Sequence, residues 1–71
     1  MSHVVMAEMV GSVLEVVASP GDVVEPTDPL VILESMKMEI PVLAENGGTV
    51  AEIRVTEGDV VQEGDVLVVL A

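Results

Sequence analysis

The feature that most constrains the fold of this chain is an internal repeat. The segment Gly11–Val24 recurs in related form as Gly48–Val61, an offset of 48 − 11 = 37 residues. The same register continues without a gap as far as Leu33 and Leu70. So many matches in one register indicate two copies of one structural unit. The repeat therefore predicts a single domain over residues 1–71 with a pseudo-two-fold axis between its halves.

Each copy consists of short apolar segments separated by residues typical of turns. The chain has 17 Val, 6 Leu and 3 Ile but no aromatic residue, and this β-branched bias favours strands. No stretch has the 3.6-residue period of a helix. Eight short strands predict an all-β fold, a flattened barrel or β-sandwich. They are predicted near residues 3–9, 12–18, 23–25, 30–35, 38–44, 49–55, 60–62 and 66–70.

Stability must come from aliphatic packing, because a chain without Cys and with one His has neither disulfides nor a Cys/His zinc site. The packing pattern leaves one question open. Val13 and Val16 are separated by an odd step, as are Val50 and Ile53, so straight strands would place the members of each pair on opposite faces. A bulge or bend would be needed to bury both.

The charge balance narrows the class of partner. Thirteen acidic residues stand against Lys37 and Arg54, giving a formal charge of −11. Phosphate contacts need Lys and Arg, so nucleic-acid binding is disfavoured. The charge either maintains solubility or steers the chain toward a basic partner. It also opposes pairing of sheet edges between molecules, and we expect a monomer. Arg54 is predicted to face outward from a strand, with docking to a partner as the alternative.

The sequence contains no membrane segment. No apolar run approaches the roughly 20 residues that a membrane span needs, and the N-terminus lacks a basic region followed by an apolar core. We therefore expect a cytoplasmic protein. Met1 directly before the first strand favours a complete gene product over an excised domain.

Two segments are predicted to be hairpin connections. Glu45-Asn-Gly-Gly48 contains Asn-Gly, which can take the positive φ angles of a tight turn, and is interpreted as structural. Glu34-Ser-Met-Lys-Met-Glu39 is too short and too closely flanked by strands for a helix. We predict a hairpin tip here with Lys37 at or beside its apex, where a side chain projects whole into solvent.

Lys37 is the only lysine, so an enzyme that modifies side-chain amines has one target. Nothing in the sequence activates this amine as a nucleophile, and a modifying enzyme must supply the chemistry. The alternative is a solvated turn charge. Met36 and Met38 bracket the lysine, and exposed Met at a turn is a favoured contact for a partner protein. The alternative for this pair is packing at the strand ends, with both side chains turned inward.

The segment Glu34-Ser-Met-Lys-Met-Glu39 resembles the Ala/Ser-Met-Lys-Met attachment sequence of the biotin carboxyl carrier family, a biotin/lipoyl attachment family. The resemblance covers essentially the whole chain, including both Gly-Asp turns and the Gly-Thr-Val strand start at Gly48. It extends to the short stand-alone biotinylated proteins of actinobacteria. Ser35 stands where the family often has Ala. The chain also lacks residues for the protruding loop that some members carry between positions equivalent to Val24 and Leu30.

The resemblance implies a carrier protein rather than an enzyme. A biotin protein ligase would join Lys37 Nζ to the carboxyl group of biotin, reading Met36 and Met38 together with Glu34, Ser35 and Glu39. The carrier would then move carboxybiotin between biotin carboxylase and carboxyltransferase sites, the latter acting on an acyl-CoA, as in fatty acid metabolism, or on a keto acid.

Three other functions are weighed against this one. A lipoyl carrier has the same fold and lysine position but usually reads Asp-Lys-Ala at the tip. An unmodified interaction module would keep its function after Lys37→Arg. An enzyme would need a catalytic constellation, and no Ser/His/Asp set or phosphate-binding loop is present; His3 lies near a terminus that we expect to be frayed.

Overall fold

The structure is a computed structural model that describes residues 2–71. All eight predicted strands are present, with boundaries that differ by up to three residues. Within residues 2–71 no helix is long and apolar enough to cross a membrane. The strands are β1 (His3–Met6), β2 (Gly11–Val16), β3 (Val23–Val24), β4 (Pro29–Ser35), β5 (Met38–Leu43), β6 (Gly48–Ile53), β7 (Val60–Val61) and β8 (Val66–Leu70).

The strands form two four-stranded sheets, with orders β1-β8-β6-β3 and β5-β4-β2-β7. All pairings are antiparallel. The predicted sandwich is therefore confirmed. Each sheet combines strands of both copies, because the short β3 pairs with β6 and the short β7 pairs with β2. Neither copy forms a sheet by itself, so the two halves are interlocked.

The backbone hydrogen bonds repeat with the same offset of 37 residues. Gly21 N donates to Val50 O at 2.8 Å and Val50 N donates to the carbonyl oxygen of Asp22 at 2.8 Å. The equivalent bonds join Val13 to the turn at residues 58–59, also at 2.8 Å. Each copy's first turn thus binds a strand of the other copy. The predicted pseudo-two-fold relation holds at the level of individual hydrogen bonds.

A bulge resolves the packing question that the alternation pattern left open. The register of β2 against β4 shifts between Val13 and Glu15, and the register of β6 against β8 shifts at the equivalent place. Val13 is buried, and Val16 packs against the core from a half-buried position. The extra residue turns both side chains toward the same face.

The core is symmetric in composition as well as in position. Fourteen apolar residues are buried, and no polar residue within the described chain is buried. Leu30 and its equivalent Leu67 are fully buried, and each such side chain contributes about 1.5–3 kcal/mol by leaving water. The fourteen fall into seven pairs separated by 37 residues: Ala7/Ala44, Val13/Val50, Ala18/Val55, Val24/Val61, Leu30/Leu67, Val31/Val68 and Leu33/Leu70.

Four tight turns, two in each copy, share one design. In each, an Asp carboxylate accepts a hydrogen bond of 2.8–2.9 Å from the backbone N–H three residues earlier. The residue before the Asp has positive φ. Three turns use Gly at this position, whereas the turn before β4 uses Thr27 with φ 76°. The equivalent residue in the second copy is Gly64. Thr27 is therefore strained relative to its counterpart.

The prediction of a hairpin at Glu45–Gly48 is wrong. β5 and β6 belong to different sheets, so this segment crosses from one sheet to the other. Neither Asn46 nor Gly47 has positive φ. Gly47 instead lies in a close approach, since a Cβ there would be 3.3 Å from Val24 O and would require a small shift of the neighbouring backbone. The Asn-Gly pair indicates a tight turn locally, but the partner of β5 is set by distant strands.

Arg54 is placed one residue beyond the strand in which it was predicted, because β6 ends at Ile53. Its side chain faces outward, as expected, and forms an ion pair with Glu52 at 3.7 Å. Both partners are more than half exposed, so the pair contributes little to stability.

Candidate functional site

The hairpin of β4 and β5 presents Lys37. Six residue pairs join the two strands, and the last of them, Ser35 with Met38, leaves only Met36 and Lys37 to form the turn. Both turn residues have positive φ, 53° and 64°, which defines a type I′ turn. The predicted hairpin tip is confirmed, and Lys37 lies at its apex with an exposed side chain.

This turn is unusual in its residues. Type I′ turns prefer Asn-Gly because side chains other than Asn and Asp tolerate positive φ poorly, at about 1–2 kcal/mol per residue. Met36 and Lys37 therefore hold the turn against their own backbone preference. The paired strands beneath supply the constraint. Strain of this kind is common at functional sites, which makes these two side chains candidates for the site.

Lys37 and the two ends of the chain lie at opposite ends of the molecule. β5 runs away from Lys37, and β6 begins where β5 has ended, separated from it by residues 44–47. Ala71 N donates to Thr49 O at 2.7 Å, and His3 pairs with Leu70, so both ends of the described chain lie beside the start of β6. The amine is presented away from them. We call the Lys37 side the lysine end and the other side the far end.

Met36 and Met38 are exposed, with 91% and 62% of their surfaces accessible. The interpretation in which both pack inward is wrong. Met38 pairs with Ser35 and, by alternation, points to the same face of the sheet as Ile40. On this face the core ends at Leu33, the partner of Ile40, so Met38 lies beyond it. The structure thus provides two large apolar side chains on either side of the lysine, available to a partner.

Glu34 and Glu39 lie directly opposite each other on the neighbouring strands, as the second residue pair from the turn. Both are exposed, whereas Ser35 is half-buried. Neither carboxylate forms an ion pair with Lys37, since the Arg54–Glu52 pair is the only one within residues 2–71. Like charges at opposed positions are destabilising. The two glutamates form an acidic border to the tip without binding the amine.

Gly11 packs against the hairpin just below its turn, a role that the sequence interpretation missed. A Cβ at this position would lie 2.8 Å from Glu34 O, so only Gly allows β2 to approach β4 here. The signal was available in the repeat. Gly48, its equivalent, has the same constraint, because a Cβ there would lie 3.0 Å from Ala71 O.

The arrangement lacks the enclosed geometry of a substrate site. A groove of about 730 Å³ lies between β1 and β5 and is lined by residues such as Val5, Ile40 and Val42, but Lys37 does not contribute to it. Among the residues described, no group of three or more His, Cys, Asp or Glu side chains is placed to hold a metal. The tip offers one primary amine in open surroundings, which can form an amide bond when another protein supplies the activated acyl group.

A rigid β-module that projects a single amine from a strained turn has the architecture of a carrier domain. Comparison with protein families identifies which kind. The model of the biotin/lipoyl attachment family, described as "Biotin-requiring enzyme", matches residues 3–70. The chain belongs to this family, as the resemblance in the sequence predicted.

Curated relatives are similar in sequence. The biotinylated protein TB7.3 homolog of Mycobacterium leprae (strain TN) is 64% identical over 42 residues, and biotinylated protein TB7.3 of Mycobacterium tuberculosis (strain CDC 1551 / Oshkosh) is 60% identical over 42. Each match covers 59% of this chain and 59% of the relative. Both relatives are named as biotinylated proteins.

Solved structures share the whole fold. The urea carboxylase of Kluyveromyces lactis superposes with a TM-score of 0.94 and 35% identity, over 100% of this chain and 6% of that one. A single-chain, multi-domain long-chain acyl-CoA carboxylase gives 0.90 and 35%, over 96% and 7%. The lipoyl domain of the 2-oxoglutarate dehydrogenase complex from Azotobacter vinelandii gives 0.73 and 37%, over 87% and 78%.

The chain therefore has the fold of biotinyl domains and is a non-catalytic carrier module. Its residues fit biotin chemically. Lys37 is the only lysine, its amine is exposed, and neither acidic neighbour forms an ion pair with it. A carboxylic acid such as biotin can be joined to it as an amide without rearranging the turn.

Proposed function

We propose that Lys37 is the attachment residue for biotin and that the module carries this group between the active sites of a biotin-dependent carboxylase. The observation that carries the proposal is the position of the only lysine at the apex of the β4–β5 hairpin. The strained backbone of Met36 and Lys37 supports it, because a turn selected for stability alone would favour Asn-Gly.

The attachment step belongs to a biotin protein ligase. The ligase activates the biotin carboxyl group as an acyl-adenylate. Neutral Lys37 Nζ attacks the acyl carbon, the new C–N bond forms as the bond to the phosphate oxygen breaks, AMP leaves, and the amine releases a proton. The chain's part is to present the amine on a fixed backbone, which removes the cost of ordering a flexible segment in the ligase site.

Bound biotin supplies the carrier chemistry, since its ring takes up a carboxyl group at one site and gives it up at another. The chain itself supplies reach and effective concentration. Its open tip can enter two different active sites because no part of the fold covers Lys37. In the two carboxylases, the part that matches this chain makes up 6–7% of the length. This supports the proposal that the module works with partners that hold the carboxylase and carboxyltransferase sites.

The negative charge of the module supports an electrostatic contribution to docking. With a formal charge of −11 and its one arginine paired to Glu52, the module would approach a basic partner surface faster than a neutral protein would. Biotinylation converts the amine of Lys37 to a neutral amide and makes the charge more negative by one. The association rates of the module with a basic partner, before and after biotinylation, should both fall as the salt concentration is raised.

The test is intact mass followed by peptide mapping on protein from cells that co-express a biotin protein ligase, with Lys37→Arg as the control. We expect the mass to increase by biotin minus water, the increase to map to Lys37, and the control to stay unmodified. No increase in the presence of active ligase would exclude the proposal. Lys37→Arg keeps the positive charge and the turn, so a negative control reflects the missing amine rather than a lost fold.

The lipoyl carrier is the second candidate, because the lipoyl domain with a TM-score of 0.73 shares the fold. The Met-Lys-Met sequence of the tip and the biotinylated relatives favour biotin over lipoate. Co-expression with a lipoate ligase in place of the biotin ligase separates the two candidates: a lipoyl-sized increase on Lys37 would support the second.

A further inference from the structure

The Asn46-Gly47 pair lies in the crossing from β5 to β6, at the far end of the molecule. The residues at the equivalent positions of the first copy are Met9 and Val10. The fold thus builds the same kind of segment from residues of different chemistry. A tight turn does not explain the Asn-Gly pair either, since neither residue has positive φ. Its chemical reactivity, rather than its turn propensity, distinguishes this segment from its equivalent.

Both amides of the pair are open to water. Asn46 and Gly47 are exposed, and none of the side-chain hydrogen bonds within residues 2–71 involves Asn46. Gly47 lies outside every strand, and its N–H donates no hydrogen bond to another backbone group of the described chain. An exposed N–H of this kind is hydrated rather than held by the fold. Neither amide must therefore break a protein hydrogen bond before it reacts.

The two amides are adjacent in the chain and can react with each other. When Gly47 N loses its proton to solvent, it can attack Asn46 Cγ and close a five-membered succinimide ring. The new N–C bond forms as the bond from Cγ to the side-chain nitrogen breaks, and this nitrogen takes a proton from water and leaves as ammonia. The reaction is intramolecular and needs no second protein. Gly favours it, because it has no side chain to crowd the attacking nitrogen and has the least restricted backbone.

Hydrolysis of the ring determines the product. Water attack at Cγ breaks the bond from Cγ to Gly47 N and leaves aspartate. Water attack at the main-chain carbonyl carbon of residue 46 breaks the other ring bond to Gly47 N, so the chain continues through Cγ as isoaspartate. Either product adds one negative charge and changes the formal charge from −11 to −11 − 1 = −12. Only isoaspartate lengthens the main chain, by one methylene group.

We propose that Asn46 is a site of spontaneous deamidation and that the isoaspartate formed there loosens the far end of the module. The inference does not rest on the proposed function, because Lys37 lies at the opposite end. Asn46 is the only asparagine of the sequence and Gln62 is the only glutamine. The chain therefore has one reactive Asn-Gly pair and one other side-chain amide, which is exposed and serves as an internal reference.

The crossing has little room for a longer main chain. It is fixed at one side by Ala44, which is buried and whose N–H and carbonyl group both bond to the turn before β4 at 2.8 Å. It is fixed at the other side by Gly48, which pairs with Val24 in β3. Gly47 approaches Val24 so closely that even a Cβ would lie 3.3 Å from the carbonyl oxygen. An extra methylene group between Ala44 and Gly48 must therefore weaken the contacts of one of them.

The experiment incubates the purified full chain at mildly alkaline pH and follows it by anion-exchange chromatography. Peptide mapping, with fragmentation that distinguishes aspartate from isoaspartate, locates the change. We expect both products at residue 46 and an unchanged Gln62. A synthetic peptide of residues 42–50 gives the rate without the fold. The folded chain should deamidate within about tenfold of this rate, because the fold restrains neither amide. A larger difference would overturn the proposal, because it would show that the crossing protects Asn46.

Two variants test the route through the ring. Gly47→Val copies Val10, the residue at the equivalent position, and its β-branched side chain should slow deamidation at least about tenfold by crowding the attacking nitrogen. Asn46→Gln keeps an exposed amide but would need a larger ring, so it should stay unmodified over the same period. Thermal unfolding verifies that both variants are folded. If either variant deamidates as fast as the original chain, the ring mechanism at this pair is wrong.

Asn46→Asp separates the added charge from the longer main chain, because it has the charge of the product and a normal backbone. The isoaspartate fraction isolated from the incubated protein should unfold at a Tm about 4–8 °C below that of Asn46→Asp. Equal Tm values would show that the crossing accommodates the methylene group, and the proposed loosening of the far end would be refuted.

Discussion

The lysine end and the far end of this module have the same backbone arrangement, but only the lysine end carries Lys37. Equivalent turns bind equivalent strands at both ends, and buried residues occur in matched pairs. The first copy leads through the turn at Met36 and Lys37 into β5, and this turn carries the only lysine of the sequence. The proposed function therefore depends on a segment by which the two ends of the module differ. Residues that recur in both copies build the fold, and residues without an equivalent are candidates for recognition.

The comparison also separates two kinds of backbone strain. Thr27 has positive φ in a turn where its equivalent, Gly64, has none of the steric cost. Met36 and Lys37 have positive φ in the turn of the β4–β5 hairpin. The strain at Thr27 serves no site described above, whereas the strain at the hairpin accompanies the amine. Substitutions at the two places should therefore have different consequences.

The largest expected effect tests whether the two halves contribute equally to the core. Leu30→Ala and Leu67→Ala should each lower the free energy of unfolding by about 2–5 kcal/mol, a large share of the total for so small a domain. Because both side chains are fully buried at equivalent positions, the two losses should agree within about 1 kcal/mol. Urea unfolding followed by far-ultraviolet circular dichroism measures them, since the chain has no aromatic fluorophore.

Leu14→Ala is the control for this pair. Leu14 is partly exposed, and its equivalent in the second copy is already Ala51. The substitution should cost less than about 1 kcal/mol. Unequal losses at Leu30 and Leu67 would show that one half dominates the stability, against the symmetric core.

A smaller effect is expected when the turns before β4 and β8 exchange residues. Thr27→Gly removes a left-handed strain of about 1–2 kcal/mol and adds the entropic cost of Gly, for a net stabilisation of about 0.5–1 kcal/mol. Gly64→Thr should destabilise by about 1–2 kcal/mol. Thermal unfolding resolves both, because 1 kcal/mol shifts Tm by about 4–8 °C in a domain of this size. A Thr27→Gly variant that melts at a lower temperature would refute the strain at this turn.

The smallest effect on stability is expected from oxidation at the lysine end. Hydrogen peroxide transfers an oxygen to the Met thioether, giving the sulfoxide and water. Among the methionines of residues 2–71, peptide mapping over time should find Met36 oxidised first, then Met38, then Met6 and last the half-buried Met9, in order of exposure. The unfolding free energy should change by less than about 0.5 kcal/mol after the first step, because Met36 lies outside the core. Preferential oxidation of Met9 would contradict the placement of the pair.

Much of the fold was predictable from this sequence because the repeat reports the same information twice. Every strand was found, since Val-rich segments and turn residues occur in both copies at one offset. The apex position of Lys37 was predictable because the strand patterns on both sides leave two residues for the turn. Whether Val13 and Val16 face the same side was not, because a bulge depends on the pairing of β2 with β4.

The errors have a common physical cause. Asn46-Gly47 was interpreted as a hairpin because turn propensity is local, whereas β5 and β6 are separated by pairing with β4 and β8. The inward packing of Met38 was considered because alternation gives the direction of a side chain, not the point at which the core ends. Gly11 was missed because its closeness to the hairpin depends on the same long-range register.

The separation of Lys37 from the ends of the chain gives the module a mechanical property. Four strands about 4.8 Å apart and two stacked sheets account for the two dimensions of 17 Å, so the 33 Å dimension follows the strands. A tether attached at the far end would therefore lie nearly the full 33 Å length of the domain away from Lys37. Tilting by about 60° about such an attachment would move the amine through roughly the same 33 Å, without bending any strand. Small rotations of a stiff domain can thus give the amine a wide range of positions.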